Sequence, residues 1–351
     1  MAAGTVTAGL SQAPAVLAAS KKRFRWRMVM VIPKTLPVWG SAVQRFSKRI
    51  EEMSEKQLRI KVYGAGEIVP ALETFGAVSK GRVQMGHSAA YYWQGKLPAA
   101  PFFTSVPFGL NANGMRAWLR NGGGQELWDE LYRPHGLFAL PAGNTGLQMG
   151  GWFRKPIKSI KDFKGLKMRI PGLGGKVIAA VGGQPMLIAG GEIFTNLSTG
   201  VLDATEWVGP FHDYTMGFHK VAGYYYHPGW HEPGPVLELL INEKAWQELP
   251  KHLQVMVRSA AAELDRDMYA EWLAKDSEYL EKLRQLGKVK IQPYPTDVMT
   301  KLHGVADQVK KEVAKTSPLA KKIYDSYTAF QERFNQFQKV TEWDYVRAVD
   351  S

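Results

Sequence analysis

Cysteine is absent from the whole of the 351-residue chain. That excludes thiol chemistry and agrees with an oxidising compartment, where unpaired thiols are selected against, so the chain points to the bacterial cell envelope. Charge is missing from the first twenty residues, MAAGTVTAGLSQAPAVLAAS, which hold no Lys or Arg before Lys21. Their small-residue ending resembles the apolar region and cleavage site of an export signal, and a longer, twin-arginine type of start is expected ahead of it. No later segment offers ~18 consecutive apolar residues, so nothing reads as a membrane span. Basic clusters are also lacking. The formal net charge is +13, yet no basic block exceeds Lys21-Lys22-Arg23. A nucleic-acid protein concentrates its cations into a stripe, so this charge reads as solubility and attraction for anions. The sequence shows neither an internal repeat nor a low-complexity segment.

What is present is globular. Hydrophobic residues make up 45% and charged residues 22%, and the length predicts two domains. Phe24–Met28 alternates apolar and polar before Val29-Met30-Val31, as a strand should. Trp39, Val43, Phe46, Ile50 and Met53 recur at helical spacing. Leu58, Ile60 and Val62 alternate with Arg59 and Lys61; Pro70–Lys80 reads as a short helix and Val83–Ala89 as a third strand. This β-α-β-α-β rhythm implies a parallel sheet covered by helices. A helix near Gly114–Tyr132, apolar runs at Leu137–Pro141 and Leu147–Phe153, and a βα unit from Met168 to Val181 follow. From about Lys251 to Gly287 a single helical pattern carries one apolar stripe. At ~1.5 Å per residue it would reach ~50 Å, more than one small lobe can cover, and is expected to brace two.

Four constellations could carry chemistry. Arg169 ends an alternating strand in Leu166-Lys167-Met168-Arg169-Ile170-Pro171 and is followed by Gly172-Leu173-Gly174-Gly175. Ligands of open α/β sheets bind at carboxyl ends of strands beside helix N-termini, where a guanidinium can grip a carboxylate through two parallel bonds. The alternative is a surface arginine, and spacing alone does not choose. The glycines do not complete G-x-G-x-x-G, because Val177 takes the last place, so a dinucleotide is not expected. Gly86-His87-Ser88-Ala89-Ala90 approximates a nucleophile elbow, with Asp203 and His227 or His231 in the right order. The elbow needs a helix directly after its serine, and Tyr91-Tyr92-Trp93-Gln94-Gly95-Lys96-Leu97-Pro98 reads as a loop instead. His227 and His231, four apart beside Glu232, would suggest zinc on a helix. Pro228, Gly229 and Pro233 forbid that helix, and an extended segment crossing between lobes is expected. Glu206-Trp207 reads, on periodicity alone, as a solvated charge beside a core ring.

Taken together, Asp162-Phe163-Lys164-Gly165-Leu166-Lys167-Met168-Arg169-Ile170-Pro171, Gly191-Glu192-Ile193 and Thr199-Gly200-Val201-Leu202-Asp203-Ala204 resemble the binding component of tripartite ATP-independent periplasmic (TRAP) transporters. The spacing holds over nearly all of the chain after the export segment. The Glu206-Trp207 pair resembles the branch that binds 2-oxo acids and lactate-like monocarboxylates through a metal ion. The resemblance implies a non-enzymatic, periplasmic solute-binding protein that hands a small organic anion to TRAP membrane subunits, with no nucleic acid among its partners.

The fold it implies is α/β, a type II periplasmic binding protein of two α/β lobes joined by hinge strands and a long spanning helix. The chain crossings are expected near 140–146 and 225–236. Lobe I is expected over 21–142 with 230–268, lobe II over 143–229 with 269–316, and a C-terminal helical extension over 317–351. By the same resemblance Arg169 clamps the ligand carboxylate, while Gln148, Glu206 and the Trp207 carbonyl hold one Na⁺ or Ca²⁺. Tyr91 and Tyr92 close over the ligand, and Glu232 completes the cage. All-oxygen ligation suits hard ions independently, and a 2-oxo acid can chelate one such ion through its carboxylate and keto oxygens. Tyr324, Tyr327, Phe330, Phe334 and Phe337 mark an aromatic stripe on the C-terminal helix; the resemblance assigns it to a homodimer, and packing on its own lobe is the alternative. An esterase using Ser88 and a signalling receptor of the same fold are the competing functions.

Overall fold

A computed structural model describes residues 22–349, so the export segment expected over 1–20 lies outside the described residues. The chain first lays down β1 (Phe24–Met30), β2 (Leu58–Tyr63), β3 (Met85–Ser88) and β4 (Leu137–Asn144). It then leaves for a second sheet with β5 (Gly151–Phe153), β6 (Lys167–Arg169), β7 (Gln184–Met186), β8 (Ala204–Thr205) and β9 (Tyr224–His227). It returns with β10 (Val236–Asn242) and crosses once more for β11 (Lys290–Pro293). The first sheet has the order β2-β1-β3-β10-β4 and the second β11-β9-β5-β8-β6-β7. β1 runs parallel to β2 and β3, whereas β10, coming back from the second sheet, is antiparallel to both of its neighbours. Two lobes follow, each with helices on its sheet.

Local sequence explains most of this. In β1, Phe24, Trp26 and Met28 point into the core while Arg25 and Arg27 face solvent, the period-2 pattern of a half-covered strand. Helix Trp39–Met53 buries Trp39, Val43, Phe46 and Ile50 on one stripe. The single helix expected over 114–132 is two, Ala112–Asn121 and Gly124–Tyr132. The break falls at Gly123, whose φ of +83° is left-handed and open at little steric cost only to glycine. Periodicity carried straight across it because apolar residues resume in phase.

The crossings from β4 to β5 and from β9 to β10 run through residues 145–150 and 228–235, and the third is helix Lys251–Gln285, 35 residues long. That helix holds both lobes. Glu263 bonds Arg49 at 2.8 Å on the first lobe, and Asp276 accepts the backbone N–H of Phe211 at 2.8 Å on the second. The C-terminal helix Pro318–Lys339 begins at Ser317, whose hydroxyl caps Ala320 N–H at 3.0 Å, with Pro318 at the first helical position. Its Tyr327 is fully buried against Phe102 and Trp118, and the phenol accepts from Leu110 N–H at 2.8 Å. Much of the aromatic stripe therefore packs on its own lobe.

Candidate functional site

Both crossings and both sheets deliver side chains to one place. Arg169 ends β6 and is 1% exposed. The next turn of chain, Gly172, adopts a φ of +63°, and a Cβ there would lie 3.1 Å from the Cβ of Tyr91. Glycine is thus what lets the second lobe close against the tyrosine turn of the first. Arg169 donates through Nε to the Ile188 carbonyl at 3.2 Å, through Nη2 to the Tyr92 hydroxyl at 3.2 Å, and through Nη1 to the Glu206 carboxylate. Its guanidinium lies 5.1 Å from the centre of the Trp207 ring. Burial is the largest influence and works against the Arg169 charge, but Glu206, Tyr92, Tyr91 and Glu232 together outweigh it and hold the pKa above its ordinary value.

Tyr91 and Tyr92 sit on the short helical turn Ala90–Trp93 after β3, their rings edge to face at 4.7 Å. Gln148 comes from the first crossing. It donates to Glu232 Oε2 at 2.9 Å and to Thr145 Oγ1 at 3.2 Å, and its own Oε1 is buried without a partner among the described residues. Glu232 and His231 come from the second crossing, and His231 Nε2 lies 3.3 Å from Glu206 Oε2. Ligand atoms of Glu206, His231 and Glu232 all fall within 4.8 Å of one another. Burial raises the Glu232 pKa well above the usual carboxylate range, the neighbouring charge of Glu206 raises it further, and Arg169 offsets only part. Burial first, then Glu232, likewise pushes the Tyr91 phenol well up. Two carboxylates side by side and an orphaned amide oxygen form a donor set that a hard cation would satisfy.

All six residues expected to touch ligand, and Glu206 with them, are buried, and the contacts above link them into one cluster. His231 is the member that sequence reasoning missed. The His227–His231 pair drew attention only as a zinc spacing; the crossing segment turns His231 inward while His227 stays half-buried in β9. The signal was its place beside Glu232, not its distance from His227. The hydrolase constellation does not assemble. Ser88 is buried and among the described residues its hydroxyl bonds only the Ala89 carbonyl, at 3.4 Å, while Asp203 accepts from Lys167 N–H at the opposite end of β6.

The profile of the family described as bacterial extracellular solute-binding protein, family 7, matches residues 28–316. The chain belongs to this family. Family membership makes it an extracytoplasmic solute-binding protein of the TRAP type, not an enzyme. None of the described helices is long and apolar enough to cross a membrane. The chain is 42% identical over 327 residues, 93% of its length and 89% of the relative's, to a monocarboxylate 2-oxoacid-binding periplasmic protein of Nostoc sp.. Among solved structures it resembles a TRAP periplasmic solute-binding protein of Pseudoalteromonas atlantica with bound sodium and pyruvate. The TM-score is 0.91 at 40% identity, covering 93% of this chain and 99% of that one. A Bordetella bronchiseptica TRAP solute-binding protein, a mixed-occupancy dimer with calcium and picolinate in one site, gives 0.91 at 36% identity, covering 93% and 97%.

Proposed function

We propose that this family member captures a small 2-oxo monocarboxylate, such as pyruvate, with one Na⁺ or Ca²⁺ and delivers it to TRAP membrane subunits. The observation that carries the reading is the convergence of one buried guanidinium with two buried carboxylates and the unpaired oxygen of Gln148. Glu206, Gln148 and the Trp207 carbonyl would hold the cation, which when bound neutralises the carboxylates and offers the acid a chelating partner. Arg169 then has a carboxylate to grip in place of Glu206 alone, Tyr91 and Tyr92 cover it, and Glu232 closes the cage. The lobes that shut around it are taken as 21–142 with 230–268 and 143–229 with 269–316. The relatives that bind pyruvate or picolinate with sodium or calcium support the same ligand class.

Calorimetry of metal-stripped protein with pyruvate tests this. Binding is expected only after Na⁺ or Ca²⁺ is restored; equal affinity with and without cation would refute it.

We further propose that the C-terminal extension pairs two copies. Phe337 is 60% exposed, and Trp343, Tyr345, Val346 and Val349 of helix Glu342–Val349 are all exposed, an apolar face of the kind that marks an interface. The dimeric Bordetella relative supports it. A monomer mass in light scattering of the full chain would remove it.

A further inference from the structure

One carbonyl ties the two lobes together directly behind Trp207. Pro37 lies between β1 and helix Trp39–Met53 of the first lobe; its oxygen accepts from Trp39 N–H at 2.7 Å and from His212 Nε2 at 2.6 Å. His212 belongs to helix Pro210–Thr215 of the second lobe. A carbonyl carries no proton, so Nε2 is the donor and Nδ1 is left bare; Nδ1 is buried and has no partner among the described residues. Burial lowers the His212 pKa to about 4, so the ring stays a neutral single donor near neutrality.

The bond from Trp39 spans only two residues and closes a γ-turn centred on Val38, with φ +59° and ψ −70°. That is the strained hand of the turn, and a β-branched side chain at positive φ is an outlier. Such a conformation persists only where its surroundings over-determine it. Within the first lobe Trp39 Nε1 donates to His87 Nδ1 at 2.9 Å, and other contacts cross between the lobes. Trp39 stacks on Trp207 at 6.4 Å, His212 holds the Pro37 oxygen, and Trp272 of the spanning helix touches the rings of both Trp39 and His212. His212 cannot drift to meet the turn, because Asp276 pins Phe211 and the buried Asp213 accepts from Trp152 and Tyr225.

We infer that His212 and the strained Pro37–Val38–Trp39 turn form an inter-lobe latch that sets how long the closed protein retains its ligand. The His212 bond and the Trp39–Trp207 stack exist only when the lobes are together and favour closure. The Val38 strain opposes it and is relieved when Pro37 is let go. His212 is a positioning residue: it acts through Trp39 and Trp207, touching neither acid nor cation. The inference deepens the ligand reading above and rests on it for its kinetic test.

Release of pyruvate from the calcium-loaded protein, followed by stopped-flow tryptophan fluorescence, is the measurement. His212→Phe keeps a ring but leaves the buried Pro37 oxygen short of a donor, and should speed release about tenfold with the association rate unchanged. His212→Gln restores an N–H donor and should recover most of the loss. Val38→Gly adopts the same φ without strain and should slow release. A folded His212→Phe protein, judged by near-UV circular dichroism, that releases at the parental rate overturns the latch, as does Val38→Gly releasing faster.

If the parent binds no pyruvate with calcium, the ligand reading has failed and the latch is judged without ligand. The chain has no cysteine, so spin labels at Lys48→Cys and Lys164→Cys report lobe separation. His212→Phe should lengthen that distance, and an unchanged distribution overturns the latch.

Discussion

Glu206 and Glu238 are both wholly buried glutamates, and of the two only Glu206 stands in a cluster of ionisable groups among the described residues. Glu238, on β10, accepts from Trp93 Nε1 at 2.6 Å and from the Tyr132 hydroxyl at 2.9 Å, with no charged partner among the described residues. Both oxygens are answered by neutral donors fixed in the core of the first lobe. Burial pushes its pKa up to about 7 against those two bonds. Glu206 has a guanidinium and an imidazole from different elements, and Glu232 close by. Its partners come from separate segments, Arg169 from β6 and His231 from the second crossing. Burial of a carboxylate is thus weak evidence of function. Convergence of opposite and like charges from independent segments, with a polar atom left unpaired, is stronger.

The largest effect that would break this contrast is at Arg169. Arg169→Ala leaves Glu206 without its main partner and the ligand carboxylate without a clamp, and should cost about 2–5 kcal/mol of binding, on the order of 30- to 4,000-fold. Unchanged affinity for pyruvate in calorimetry would remove the site.

Next comes Glu206→Gln, which keeps the shape and removes the charge. It should lower calcium-dependent affinity at least about tenfold, the low end for a disturbed metal site. A calcium titration matching the parent would make Glu206 no different from Glu238.

The smallest effect on binding is expected from Glu238→Gln, within about twofold, because the Tyr132 hydroxyl can turn to accept from the new amide. Its signature lies in stability. The folded pKa of Glu238 is raised to about 7 from an ordinary 4.5, so the folded state holds the proton more tightly. That contribution is full below pH ~4.5 and is lost as pH rises through ~7. Glu238→Gln should therefore flatten the fall in melting temperature between pH 5 and 8. Asp213 and Asp276, raised to about 7 and about 6 by burial, keep part of the slope. A slope as steep as the parent's would show that Glu238 is not held protonated in the fold.

Legibility in the sequence followed the length and regularity of each element. β1 and β2 alternate over six or seven residues and the spanning helix over 35, so their patterns were readable. β5, β7 and β8 span only two or three residues, too few for a period to show. Arg169 was readable as a strand-end cation before a glycine-rich helix start, although exposure and burial could not be told apart. Gln148 and Glu206 had no local signature and came into view only through resemblance to a family. His231 was passed over because two histidines separated by proline and glycine carry no fixed geometry along the chain.

The amino-acid order alone determined the sequence-local properties: which runs form strands, where the long helix starts and stops, and which cations stand at strand ends. Those depend on side chains within a turn or two of one another. The tertiary structure decided that residues 145–150 and 228–235 pass side by side, which puts Gln148 against Glu232 and His231 against Glu206, and that His212 meets Pro37. These pairs lie 84, 25 and 175 positions apart. Only the packing of two lobes onto one spanning helix brings such distant groups within hydrogen-bonding reach, and there the charge balance of the site is set.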